Sequence, residues 1–547
     1  MSTNRRDFVI TGASSLVALT AAPAFLKRQG AHDLVIRGGT VFAGSLLAEP
    51  PDTSGIQADV AISGDRIVAV GRVPGRGTEE IDARGLAVSP GFVDIHSHGD
   101  GSIEDDPRME SVVRQGITTI VCGQDGSSRG TPGDQQPAAG AFAAMLASIE
   151  GRKPAANVAS MIGLGSVRGR VVGNMDRPAT PDELRTMVGM VESALAEGAC
   201  GASSGLEYTP GAFASTEELI ALCRPLAARG LPYATHMRNE DDRLLDSIDE
   251  SIAVAKGAGC SLQISHLKTQ GPRNWSKLDT VFARIADAAR NSVRVTFDRY
   301  PYIAYATGLT NLFPVWSRDG GTDAFLARLA DPSVSPRIKS ETLAKVDLIG
   351  GWENVHISSV RDSTDRAAEG KRLGSYAKSI NTDPYDLTLA MLTRNRGSIG
   401  MVGFAMSEEN LDRILAHPKG MVASDGGSFA IEGPTRRGSP HPRGLGTFPR
   451  VLGRYVRERK ALTLSMALNR MAATPAAIVK LPNRGMLKTG WAADVVVFDP
   501  ATVADRATYE QPFQYPAGIK TVIVNGVIAL RDDQRGSQMT GKVLRPA

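Results

Sequence analysis

The sequence predicts an α/β protein built on a TIM-like (β/α)8 barrel, with a composite β-sandwich domain assembled from both chain ends and an insertion before strand eight. Short β-prone runs alternate with longer helix-compatible stretches through the middle of the chain, the pattern of βα units in a parallel sheet. Eight such runs can be counted, ending near His96, Gly123, Gly163, Leu206, His236, His266, Asp298 and Asp425. The flanks carry short alternating segments punctuated by Gly-Asp and Gly-Gly turns, too few at either end to cover a hydrophobic face alone.

Taken in order, the chain opens on Asn4-Arg5-Arg6-Asp7-Phe8-Val9, followed by an apolar stretch to Leu26 with Ala22-Pro23-Ala24 near its end. Twin arginines, a moderately apolar run and an A-x-A-like site read as a twin-arginine export signal over residues 1–30, which implies engagement of the twin-arginine export machinery and a periplasmic or otherwise exported location. Gly12 and Pro23 leave too little continuous apolar length for a membrane anchor, so no stable membrane insertion is expected after signal removal. Segments 33–41, 58–62 and 66–70 are strands at one end, and 493–498 and 521–526 at the other. They are expected to pair into one domain spanning 31–88 and 484–547. The barrel then covers 89–483. Its insertion, at about 320–415, contains a helix-like run from Pro384 to Thr393 and a β-like run from Ser398 to Phe404, and is suited to a lid or small subdomain.

The 547 residues are 42% hydrophobic and 22% charged, with a net charge of +4. That is an ordinary globular composition with interspersed charges, and it excludes a nucleic-acid footprint or a polybasic membrane patch. A small-molecule partner is expected. The four cysteines, Cys122, Cys200, Cys223 and Cys260, are widely spaced in apolar surroundings. Cys200, Cys223 and Cys260 read as buried free thiols rather than a disulfide framework.

Chemistry concentrates in Pro90-Gly91-Phe92-Val93-Asp94-Ile95-His96-Ser97-His98, a β-prone run ending in two histidines one residue apart. Alternation along a strand points both imidazoles the same way, so His96 and His98 can grip one metal ion. Further polar residues fall at other predicted strand ends: Cys122 or Asp125 after strand two, His236 after strand five, His266 after strand six and Asp425 after strand eight. The carboxyl ends of barrel strands are where active groups gather. His32, His356 and His417 read as ordinary packing or surface groups. Lys268 shares strand parity with His266 and is placed to supply a cation for a substrate carboxylate.

These motifs resemble those of the amidohydrolase superfamily, and within it the D-aminoacylase (N-acyl-D-amino-acid deacylase) group. The resemblance extends from about residue 33 to the C-terminus. It rests on the His96/His98 run, Ser204-Gly205-Leu206-Glu207-Tyr208, Ser265-His266-Leu267-Lys268, Tyr300-Pro301-Tyr302, Ser424-Asp425-Gly426, His441-Pro442-Arg443 and Gly490-Trp491-Ala492-Ala493-Asp494. It implies that His96, His98 and Asp425 serve one metal subsite and His236 with His266 a second, tighter one. Similar proteins place a cysteine in the turn after strand two. Gln124-Asp125-Gly126 stands there in this chain, so Asp125 is preferred as the ligand over Cys122. Zn²⁺ is the expected metal, as one ion or two; because a carboxylate is less selective than a thiolate, Asp125 leaves Mn²⁺ as an alternative. Leu164 stands where similar proteins often carry a histidine, and the end of strand four has no lysine to act as the carboxylated bridge of hydantoinase-like relatives.

A zinc ion lowers the pKa of bound water to about 7 and polarises a carbonyl. Asp425 is the expected catalytic proton shuttle, taking the water proton and returning it to the leaving nitrogen. Likeness to the family adds Tyr208 and Tyr302 beside Lys268 as substrate contacts, with Arg443, Arg436 and Arg437 as further candidates. The reading is hydrolysis of an N-acyl-D-amino acid, a small substrate with a free carboxylate. The D preference comes from the resemblance alone. Alternatives are a D-specific dipeptidase, another amide or cyclic-amide hydrolase of the superfamily, or a non-catalytic exported binding protein.

Overall fold

In the computed structural model, which describes residues 31–45, 55–129 and 140–547, the first and last segments of the chain lie in one sheet. Strand His32–Val41 pairs with Ile56–Ser63, with Gly77–Asp82 and with Ala87–Pro90. Ala87–Pro90 in turn pairs antiparallel with Val495–Phe498, which carries Ile519–Val524 and Val527–Arg531 beyond it. These strands hydrogen-bond as a single nine-stranded sheet. Alternating side chains explain how one sheet serves two cores. Val495, Val497 and Ile523 face the outer cluster with Ile36, Val60 and Val88. Val496 and Val522 face the large central cluster instead.

Eight parallel strand positions follow in the middle of the chain. Phe92–Asp94, Ile117–Cys122 and Asn157–Ser160 pair in that order. The last runs on into Ile162–Gly163, from which parallel pairing continues through Ala202–Gly205, Pro232–His236, Ser261–Ile264, Val295–Arg299 and Gly420–Val422. Beyond these ends, a parallel bridge joins Ser97 to Gly426. The strands are buried nearly throughout, which accounts for their continuous apolar character rather than alternation.

Connecting helices carry their own start and stop signals. Helix Pro181–Glu197 begins at a capping box, Thr180 with Glu183, and ends where Gly198 takes φ 112°. Helix Leu278–Arg290 buries Leu278, Val281, Ile285 and Ala288, one stripe facing the strands. All four cysteines are buried and unpaired, and no helix among the described residues is long and apolar enough to cross a membrane. The export-signal reading falls on residues 1–30, outside the described residues.

The insertion forms a three-stranded antiparallel sheet, Ala304–Gly308 and Val355–Val360 flanking Ile399–Phe404, with helices and a separate hydrophobic cluster. It begins earlier than the expected 320, because Ala304–Gly308 pairs with the strand at its far end rather than with the central parallel strands. This places its first strand against the site described next.

Candidate metal centre

Phe92–Asp94 ends just before His96 and His98. The two rings come within 5.3 Å, His96 fully buried and His98 with 39% of its side chain exposed. Strand eight is tied to them through the backbone: the Asp425 N–H donates to the His96 carbonyl at 2.8 Å, and the His98 N–H to the Gly426 carbonyl at 2.9 Å. Asp94 anchors the same junction by accepting from the Ser424 N–H at 2.8 Å and from the Ser424 hydroxyl. Burial pushes its carboxyl up to about 7 despite those bonds.

Asp425 stands 3.1 Å from His98 Nε2 and 3.5 Å from His96 Nε2 through Oδ1, and 2.8 Å from Arg443 Nη1 through Oδ2. Burial opposes its ionisation, but the Arg443 guanidinium and the imidazoles outweigh burial and hold it well below the usual carboxylate range.

Of the two residues competing after strand two, Asp125 stands among the imidazoles. Its oxygens lie 3.4 Å from His96 Nε2, 3.4 Å from His98 Nε2, 3.6 Å from His266 Nε2 and 4.0 Å from His236 Nδ1. Cys122 is still on the strand, packed in the hydrophobic core, where burial raises its thiol well above the ordinary value. The turn needs unusual backbone. Asp125 takes φ 51° and Gly126 φ 75°, and a Cβ on Gly126 would lie 2.6 Å from the Gly205 nitrogen. His266 and Asp425 also have positive φ, 36° and 48°, so three proposed ligands leave their strands through left-handed residues that redirect the side chain.

His236 Nδ1 and His266 Nε2 meet at 2.9 Å. Behind each buried imidazole stands a carboxylate: Asp298 Oδ1 is 3.3 Å from His96 Nδ1, Glu207 Oε2 is 3.5 Å from His236 Nε2, and Glu240 Oε1 is 3.1 Å from His266 Nδ1. Such carboxylates fix which ring nitrogen faces the centre and raise its basicity. Burial works against Glu207, yet the Lys345 ammonium and the His236 ring outweigh it and bring its carboxyl down to about 2.

Whether these groups suit a metal is answered by their unmet valences. His96 Nε2 and Asp125 Oδ1 are buried, face one another and have no hydrogen-bond partner among the described residues. Buried lone pairs in that state are costly unless a cation satisfies them. Ligand atoms of His96, His98, Asp125 and Asp425 lie within 4.8 Å of one another, as do those of Asp125, His236 and His266, so Asp125 is shared by both groups. Imidazole and carboxylate donors suit Zn²⁺ and its neighbours among divalent ions.

Above these groups opens a cavity of about 460 Å³, lined in part by Tyr208, Lys268, Tyr300, Thr307, Asn311 and Arg443. Lys268 is there, but its charge is not free: Nζ is 2.6 Å from Glu240 Oε1 and 2.7 Å from His266 Nδ1. Tyr302 requires a correction. It does not line the cavity, because its ring sits over Arg450 with its hydroxyl toward Asp505, while Tyr300 takes the wall position between Arg299 and Arg443. The Tyr300 hydroxyl is buried without a hydrogen-bond partner among the described residues. Arg436 and Arg437 lie off the cavity lining, with Arg437 toward Asp105 and Arg436 over Phe513.

Sequence reasoning missed Asp298, Glu207, Glu240 and Tyr300 as site residues. Glu240 lies four residues after His236, Glu207 sits within a quoted motif and Asp298 ends a predicted strand, so positional signals existed for each.

Known proteins can be set beside this geometry. A family model described as Amidohydrolase family matches residues 435–530. The D-aminoacylase of Alcaligenes xylosoxydans xylosoxydans is 34% identical over 94% of this chain and 97% of its own, and the N-acyl-D-glutamate deacylase of that organism is 35% identical over 94% and 96%. Among solved structures, the N-acyl-D-glutamate deacylase of Bordetella bronchiseptica, complexed with zinc and a phosphonate mimic of the tetrahedral intermediate, superposes with a TM-score of 0.78 at 32% identity, covering 94% of this chain and 99% of that one. The chain belongs to the amidohydrolase superfamily, in the group of the D-aminoacylases and N-acyl-D-amino-acid deacylases.

Proposed function

We propose that this protein hydrolyses the amide bond of N-acyl-D-amino acids, releasing a carboxylate and a free D-amino acid. The observation that carries the reading is the convergence of four imidazoles with Asp125 and Asp425 at the floor of one cavity. The D-aminoacylase and the two acidic-substrate deacylases among the relatives support the choice of substrate. His96, His98, Asp125 and Asp425 would hold one divalent ion, and Asp125, His236 and His266 a second. Zn²⁺ is the expected metal, with Mn²⁺ as alternative where Asp125 replaces a thiolate.

When bound, the metal supplies Lewis acidity toward the amide carbonyl and acidifies the attacking water. Arg443 keeps Asp425 ionised, so its carboxylate begins the cycle as a proton acceptor. It then returns that proton to the departing nitrogen, which leaves as a neutral amine. Lys268, Arg443 and Tyr208 border the space where the substrate carboxylate lies, and Tyr300 offers its unpartnered hydroxyl.

The parallel strands are read as one closed (β/α)8 barrel over 89–483, with the outer sheet as a composite domain over 31–88 and 484–547. Residues 1–30 are proposed to direct twin-arginine export to the periplasm, a reading supported by the sequence alone. The deciding experiment is elemental metal analysis combined with paired N-acetyl-D- and N-acetyl-L-amino acids. Hydrolysis of the D series by zinc-loaded protein, with the L series slower by at least about 100-fold, is expected for a site built around one handed pocket. A loaded, folded protein inert toward the whole D series refutes the reading.

A further inference from the structure

A second cavity, of about 320 Å³, lies on the far side of Tyr208 and Thr209, which line both spaces. Two independent features there point to a negatively charged group. One is Arg318, only 8% exposed and with no carboxylate in ion-pair contact among the described residues. Its Nη2 donates to the Glu207 backbone carbonyl at 3.0 Å, while its Nε is buried without a partner. The Glu207 side chain is already engaged by Asn311 Nδ2 at 3.0 Å. A buried guanidinium is costly unless an anion meets it.

The other is the start of helix Gly321–Ala330. Its N-cap is Gly320, with no side-chain cap, and its first residues Gly321 and Thr322 line the same cavity. Uncapped N–H groups and the positive end of the helix dipole favour an oxyanion. The Asn174 amide nitrogen lies beside Gly321, 3.5 Å from where a Cβ would stand. Arg396 also borders the cavity but is paired with Asp323, so Arg318 is the cation left to meet a ligand.

We propose that this cavity is a binding site for a carboxylate or sulfate-like oxyanion, held between Arg318 and the N-terminus of helix Gly321–Ala330. Its position behind Tyr208 admits two sources of the same chemistry: the far end of a dicarboxylic acyl group reaching past the reaction centre, or a free anion. The first source rests on the deacylase reading above; the site itself does not.

The test uses full-length, metal-loaded protein and two variants. R318M removes the guanidinium. T322E places a carboxylate in the first turn, where it favours the helix and competes with the ligand. Because R318M removes a buried group, T322E decides alone if R318M does not fold. Sulfate affinity is measured by calorimetry, and kcat/KM is compared for N-glutaryl- and N-pentanoyl-D-amino acids. Expected is a fall of at least about tenfold in sulfate affinity, in the glutaryl preference, or in both, as for loss of a charge-assisted contact. T322E should keep turnover of N-acetyl-D-amino acids within about twofold, as for a substitution away from the chemistry. A fall in the glutaryl preference assigns the oxyanion to the substrate; a fall in sulfate affinity alone assigns it to a free anion. If neither quantity changes in folded variants, the proposal is overturned. If no N-acyl compound is turned over at all, the deacylase reading fails while the sulfate result still judges the site.

Discussion

The two sides of the metal centre are built differently. On one, His98 leaves 39% of its side chain open to the cavity, and Asp425 is met by Arg443 rather than by a second carboxylate. On the other, His236 and His266 are enclosed, each with a glutamate behind it, and Glu240 is itself held by Lys268. Asp125 stands between them and belongs to both. The difference separates two tasks. A group that must exchange protons with water and substrate needs a place on the cavity wall and a charge that favours its working state. Groups that must keep a metal need burial and fixed ring orientation.

Three substitutions break or sharpen this contrast. The largest expected effect is on the open side: D425N keeps the shape of the side chain but cannot accept a proton, and turnover should fall about 10²- to 10⁴-fold with the protein still folded by circular dichroism. Unchanged turnover removes Asp425 from the proton path. At the shared position, D125A should lower bound metal by elemental analysis, since it takes a ligand from both groups at once. Full retention of metal shows that the imidazoles suffice. On the enclosed side, E207Q leaves every proposed ligand in place and removes the charge behind His236, which Asn311 and Lys345 also meet. Metal affinity, read by competition with a chelator, should weaken by about 10- to 100-fold. An E207Q protein with unaltered affinity erases the distinction between the two sides.

The proposed ligand positions are legible in the sequence because each lies at or just beyond a strand end, and parity at His96 and His98 needs no tertiary information. The carboxylates behind them were less so. Asp298 reaches His96 across about two hundred residues of chain, a contact between strands that are not direct neighbours, which spacing does not reveal. Lys268 has the parity of His266, but its charge looks free in a sequence that does not show the Glu240 that neutralises it. Tyr302 and Tyr300 share the same parity after their strand, so alternation alone does not choose between them; the turn that follows Arg299 does, its guanidinium donating to the Tyr302 carbonyl at 2.8 Å. The outer strands were visible as alternating segments, whereas their union in one sheet depends on Ala87–Pro90 pairing on both sides.

That union has a bearing on synthesis. Every proposed ligand lies at or before residue 425, yet Ala87–Pro90 finds its second partner only in Val495–Phe498, and strand Asn157–Ser160 is joined by Val543 near the terminus. A nascent chain on the ribosome therefore carries the full set of metal-binding side chains while two of its strands still show bare hydrogen-bonding edges, the kind that recruit other chains. Loss of even the last few dozen residues, by a premature stop or by proteolysis, should be felt first as aggregation rather than as altered chemistry.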